Sequence, residues 1–135
     1  MIDRYPVSKL LEVFMVQALA ERMSTGAHAK EPVILNCINP GLCHSSLTRD
    51  AEGFQSIKFA LYKRALARST EVGSRTLVAG AEAGPESHGH YMSDSQVKEP
   101  SPFVMSEEGK KTQERVYTEL MAILEQIQPG ISKSI

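Results

Sequence analysis

The chain has 135 residues, of which 41% are hydrophobic and 23% charged, and 15 Lys and Arg against 16 Asp and Glu leave a formal net charge of −1. That balance fits a folded globular domain and gives no general attraction to nucleic acid or an anionic membrane. With 6% aromatic residues and no Trp there is also no base-stacking platform.

Asp3 to Met23 reads as the first helix. Asp3 can cap it, and Pro6 falls in the first turn, where a missing N–H costs little. Leu10, Leu11, Phe14, Met15, Ala18 and Leu19 follow helical spacing, and Val13 and Val16 broaden the stripe until most of the circumference is expected to be covered. A linker containing Gly26 ends at Pro32. Val33 to Ile38 is then a nearly continuous apolar run stopped by Asn39, Pro40 and Gly41, the pattern of a parallel strand buried on both faces.

Leu42 to Gly53 reads as a loop, and Phe54, Ile57, Leu61 and Leu66 mark a helix whose Lys58, Lys63, Arg64 and Arg68 form a solvated basic edge. Ser69 opens a further helix with Glu71 in its first turn, and Gly84 and Pro85 stop it. His90, Tyr91 and Met92 suggest a short edge strand, and Lys98 to Val104 a proline-bearing loop. A last amphipathic helix starts near Ser106 and sets Val116, Leu120, Ile123 and Ile127 on one stripe before Pro129.

The order is α/β, and it poses a physical problem. A strand apolar on both faces needs neighbours for its backbone N–H and C=O groups, because burying them unpaired costs several kcal/mol, about 1–3 for each. No second strand of equal quality is evident, so the rest of the sheet is expected to come from outside this sequence. Cys37 and Cys43 belong to no paired-cysteine motif and read as reduced thiols. No leader-like start and no apolar stretch near ~18 residues is present, which leads to the expectation of a cytoplasmic protein without membrane contact.

Two groups carry chemistry. Tyr5 and Lys9 stand four apart, on one face of the first helix. A phenol beside an ammonium suits proton delivery to a carbonyl, because the positive charge favours the phenolate that acid–base work must form. By spacing alone such a pair is common. His88, His90 and Asp94 could imitate a metal cluster, but they lie in a polar loop without a third well-spaced ligand, and no metal is expected.

The Tyr5-Pro6-Val7-Ser8-Lys9 opening, followed about thirty residues later by a strand ending in Pro40-Gly41 and then by Ser45, resembles the short-chain dehydrogenase/reductase family. The stretches Ser69 to Arg75 and Gly89 to Met92 are similar to that family's C-terminal region, in particular to retinol-dehydrogenase-like and fungal members. The resemblance implies that residues 1–135 are the C-terminal half of a Rossmann-type, doubly wound parallel sheet, incomplete as it stands. It implies an NAD(P)-dependent oxidoreductase interconverting a carbonyl and an alcohol on a small apolar metabolite, with NADP or NAD as cofactor. Tyr5 would be the acid–base residue and Lys9 would hold the nicotinamide ribose. Pro40, Gly41, the Cys43 backbone and the Ser45 hydroxyl would lie beside the nicotinamide, with 42–53 and the next helix as substrate lid.

The family's glycine-rich phosphate loop, catalytic serine and asparagine have no counterpart here, since Gly80, Gly84 and Gly89 are scattered after a helix. The expected dinucleotide affinity of this chain alone is therefore nil. The alternative is a truncated, non-catalytic copy acting as an interaction module, or as one half of a homodimer, through its first helix.

Overall fold

The computed structural model describes residues 4–26, 29, 33–44 and 62–134, with nothing stated of the Ser134 side chain. Helix α1 spans Arg4–Thr25, strand β1 Cys37–Asn39 and helix α2 Thr70–Glu82. Strands β2 (Tyr91–Ser93) and β3 (Gln96–Lys98) follow, then a single helical turn α3 (Pro102–Met105) and the long helix α4 (Glu107–Ile127). Residues 62–66 are also helical, while the remainder of the expected helix from Phe54, and most of the loop before it, lie outside the described residues.

The fold is α/β, as expected, around a three-stranded mixed sheet in the order β1-β2-β3. β1 and β2 are parallel, pairing Cys37 with Tyr91 and Asn39 with Ser93, and α2 lies between them in the chain. β2 and β3 are antiparallel, joined through Asp94 and Ser95, which both take positive φ (54° and 60°). Two successive left-handed residues are what a tight hairpin turn needs to match strand twist. One neighbour of the β1 strand, which the sequence does not reveal, therefore comes from this same chain. The Tyr91 strand is not an edge: it is the centre of the sheet, because β3 covers its far side.

β1 is shorter and less covered than its sequence suggests. Val33 and Ile34 are exposed, the latter 40%, and the strand itself is only half-buried. Among the described residues it is hydrogen-bonded on one edge only. An apolar run reads as doubly buried only if both faces and both edges find neighbours.

Local signals hold well elsewhere. Ser69 caps α2 by accepting the Val72 N–H (3.2 Å), and Ser106 caps α4 by accepting the Gly109 N–H (3.0 Å). Gly84 and Pro85 end α2 at a 3₁₀ turn, Pro85–Ser87. Gly80 lets α2 lie on β1, since a Cβ there would come within 2.7 Å of Ile38 Cγ1 and closer still to its Cδ1.

The core lies between α1, α3 and α4. Phe14 is 1% exposed and meets Phe103 at 6.2 Å between ring centroids and 57° between planes, an edge-tilted pairing. The Arg22 guanidinium sits 3.8 Å above the Tyr117 ring and donates to Glu114 (2.7 Å), so α1 and α4 are tied by charge as well as packing. The buried face of α4 is Gly109, Gln113 and Tyr117, not the stripe read from the sequence: Val116 and Leu120 are half-buried, but Ile123 and Ile127 are exposed. The aromatic ring and the small glycine decide which face meets α1.

Gly109 is the tightest point of this core. A Cβ there would collide with the Phe103 carbonyl oxygen, which is backbone and cannot swing away. Gly109→Ala is expected to cost about 1–3 kcal/mol through forced separation of α3 from α4. Urea unfolding with an unchanged midpoint would refute the close approach.

Candidate functional site

The second half of α1 is tied through His88 to the segment that leads into β1. Near the C-terminal end of the helix, His88 accepts the Leu35 N–H at Nδ1 (3.1 Å) and donates from Nε2 to the Ala20 carbonyl (3.0 Å), so that Ala20 sits beside the start of the β1 segment. Two residues further along that segment, the Cys37 thiol lies in the electrostatic field of Glu12 and Lys9. The neutral histidine with its proton on Nε2 is the form both His88 contacts require. No group of three metal-binding side chains occurs among the described residues.

Tyr5 and Lys9 share the face that the sequence predicts: the Lys9 Nζ lies 5.7 Å from the centroid of the Tyr5 ring. Glu12, one turn on, was not anticipated. Its carboxylate accepts from Lys9 Nζ at 2.7 Å, and this hydrogen bond is the main reason the lysine is held more basic than usual, with Tyr5 and Cys37 adding to it. The Lys9 charge is thus shared between a phenol and a carboxylate rather than devoted to the phenol. Both side chains are open to solvent, Tyr5 at 54%, and α1 has its residues 4–9 exposed, so its first turns are not covered as expected. Burial pushes the Cys37 thiol up, with Glu12 adding to the effect, so it is a poor nucleophile.

The Pro40-Gly41 turn is built locally and then fastened to β2. Asn39 Oδ1 accepts the Gly41 N–H (2.9 Å), an Asx turn that presents Gly41 at φ 75°. The same Asn39 donates through Nδ2 to the Tyr91 hydroxyl at 2.6 Å. Beyond the turn, Leu42 O accepts the Arg68 N–H (2.9 Å) and His44 N–H donates to Arg68 O (3.0 Å). Cys43 packs its sulfur where a Gly73 side chain would otherwise stand. Gly41 is exposed and Cys43 half-buried, while Ser45 lies outside the described residues.

Arg68, expected on a solvated basic edge, instead donates to Asp94 Oδ1 (2.5 Å), whose other oxygen accepts from Lys98 (2.8 Å). Lys98 first and Arg68 second hold the Asp94 carboxyl at about 2, down from 3.8. A carboxylate depressed in the folded state stabilises it above its unfolded value and loses that contribution as pH falls from about 4 toward 2. Asp94→Asn is therefore expected to lower the urea midpoint at about pH 6 and to leave it unchanged at about pH 2. A constant difference across that range would contradict the ion pair.

A groove of about 560 Å³ opens elsewhere, between the second half of α1, the His88–Gly89 turn, and α3 and α4. Its lining begins at Gln17, eight residues and roughly 12 Å along the helix from Lys9. Its His88 and Glu114 are already engaged with other groups of the chain, and it has no convergence of reactive side chains. The Tyr5–Lys9 face and the Pro40-Gly41 turn remain the candidate site.

The chain is 53% identical over 132 residues to a short chain dehydrogenase/reductase of Cryptosporiopsis sp., covering 98% of this chain and 39% of that protein. It is 43% identical over 134 residues to a short-chain dehydrogenase of Penicillium roqueforti (97% and 35%), and 34% identical over 131 residues to a short chain dehydrogenase of Gibberella zeae (97% and 38%). The chain thus spans under two fifths of the length of these relatives. No family model and no solved structure matches it.

Proposed function

Because this chain belongs to the short-chain dehydrogenase/reductase family, we propose that it forms the C-terminal part of an NAD(P)-dependent oxidoreductase acting on a carbonyl or alcohol of a small apolar molecule. The observation that supports this reading is a phenol and an ammonium on one face of α1, the Lys9 Nζ 5.7 Å from the Tyr5 ring, in a chain whose β1 is followed by an exposed, left-handed Gly41.

The residues present suit the nicotinamide–ribose end of a dinucleotide. Lys9 offers an exposed ammonium with protons to spare beyond its bond to Glu12, fit to donate to vicinal ribose hydroxyls. The Gly41 turn is open and brings no side chain of its own, so a flat amide can lie against its backbone. The bound dinucleotide supplies the hydride. Tyr5 delivers a proton from its hydroxyl to the substrate oxygen in reduction and accepts it in oxidation. Lys9, close to the ring, stabilises the phenolate left behind, and Glu12 fixes where Lys9 can reach. NAD or NADP serves equally at this end, and no described helix is long and apolar enough to cross a membrane.

The test is a chimera in which this chain follows the residues that precede the matched segment in the Cryptosporiopsis relative. It should oxidise NADH or NADPH in the presence of apolar ketones or aldehydes, followed by the loss of reduced-nicotinamide absorbance. A folded chimera that consumes neither cofactor with any carbonyl would end the proposal.

A second reading has one supporting observation, the exposed Val7 and Leu11 on the uncovered part of α1. They suit a homodimer or an interaction module through that helix, and Leu11→Glu should then convert a dimer to a monomer by light scattering.

A further inference from the structure

Resting on the reading of the Pro40-Gly41 turn as a cofactor contact, we infer that Arg68 is a positioning residue for that turn, holding it through Asp94 at the β2–β3 hairpin. The turn has a fastening on each side, and both end on β2 or the residue that follows it. On one side Asn39 reaches the Tyr91 hydroxyl (2.6 Å). On the other the Arg68 guanidinium lies beside Gly41, close enough that a Cβ at that position would be 3.4 Å from Nη1 and 3.5 Å from Cζ. It continues to Asp94 Oδ1 at 2.5 Å.

An isolated exposed ion pair contributes little, because two long side chains must be ordered to make it. Three features lessen that cost here. The Arg68 backbone is already fixed by its bonds to Leu42 and His44. Asp94 is fixed by its left-handed place in the hairpin turn (φ 54°), which sets where its carboxylate points. Lys98, opposite Tyr91 in the β3 register, occupies the second carboxylate oxygen and stops it from rotating away. The guanidinium therefore arrives beside Gly41 with little freedom left to lose, and its planar fork spans a gap that a point-charge ammonium would not fill in the same way. A Cβ at Gly41 would meet Arg68 only at ordinary van der Waals distance, so it is the positive φ, and not the room left for Arg68, that calls for glycine there.

The test compares the full chain with Arg68→Met, Arg68→Lys and Asp94→Asn, reading backbone amide exchange across residues 41–44 and across α4. Asparagine tolerates the left-handed conformation, so Asp94→Asn removes the charge without straining the hairpin. Exchange at 41–44 should rise about tenfold in Arg68→Met and Asp94→Asn and less in Arg68→Lys, with α4 unchanged. About 1 M salt should loosen the wild-type turn to the same degree and have no further effect on Asp94→Asn. Unchanged exchange at 41–44, or a rise shared equally by α4, would overturn the inference. This readout needs no cofactor. In the chimera, Arg68→Met should also raise the KM for the dinucleotide several-fold with kcat less affected. A turn that loosens without moving that KM would leave Arg68 in place and refute the cofactor reading of the turn instead.

Discussion

Tyr5→Phe in the complete enzyme is expected to lower kcat by at least about a hundredfold, the usual scale of a lost acid–base group, while leaving the dissociation constant of the dinucleotide nearly unchanged. The substitution deletes one oxygen from a half-exposed ring whose contacts do not build the core, so stability should not confound it. The ring itself stays beside Lys9, 5.7 Å from its Nζ. Lys9→Met should differ in kind: both the KM for dinucleotide and kcat should suffer, because one group serves ribose binding and the charge near the phenol. Glu12→Gln separates the two effects further, since it frees the ammonium from its 2.7 Å carboxylate partner without removing it. Stopped-flow binding with steady-state turnover on the same preparations would measure all three. A Tyr5→Phe enzyme with wild-type kcat would dismiss the acid–base assignment, whatever the fold.

Phe14→Ala is expected to destabilise the chain by about 3–5 kcal/mol. Phe14 is almost wholly enclosed, and its removal empties the junction where α1 meets the α3 turn through Phe103. Nothing nearby is placed to collapse into the space without moving backbone, because α3 is pressed against Gly109 of α4. With a typical domain holding only 5–15 kcal/mol in total, this single change approaches the whole margin. Urea unfolding followed by circular dichroism gives the value, and a loss below about 1 kcal/mol would mean that Phe14 is not the keystone of this contact. Phe14→Leu should recover most of the loss, since it restores much of the volume.

The two substitutions fall on opposite faces of one helix, one exposed and one buried, and differ in how far the sequence reveals them. Tyr5, Lys9, Pro40 and Gly41 are singled out by the resemblance to the family, since by spacing alone a tyrosine and a lysine four apart are common. The residues that tune or fasten them are not. Glu12 is one polar residue among several on α1 until the structure shows it on Lys9. Asn39 stands before a Pro-Gly pair, and its side chain is suited to an Asx turn, so that role was within reach. Its second bond, to Tyr91, links residues 52 apart and has no local signal. Arg68 sits among other basic residues and looks solvated, yet its partner is Asp94, 26 residues on.

Sequence by itself determined the start and stop of the long helices: Ser69 and Ser106 as caps, Gly84 and Pro85 as a stop, and helical spacing through Phe14 and Ala18. These are short-range effects, in which a side chain satisfies backbone groups within one turn of itself, so a few neighbouring letters suffice. Tertiary structure alone decided that β2 is central and that β3 exists, that α4 turns Tyr117 rather than Ile127 toward α1, and that His88 and Arg68 are fasteners between distant segments. Strand pairing and helix facing depend on which surface happens to lie opposite, and three-residue strands carry too few side chains to announce a period of two.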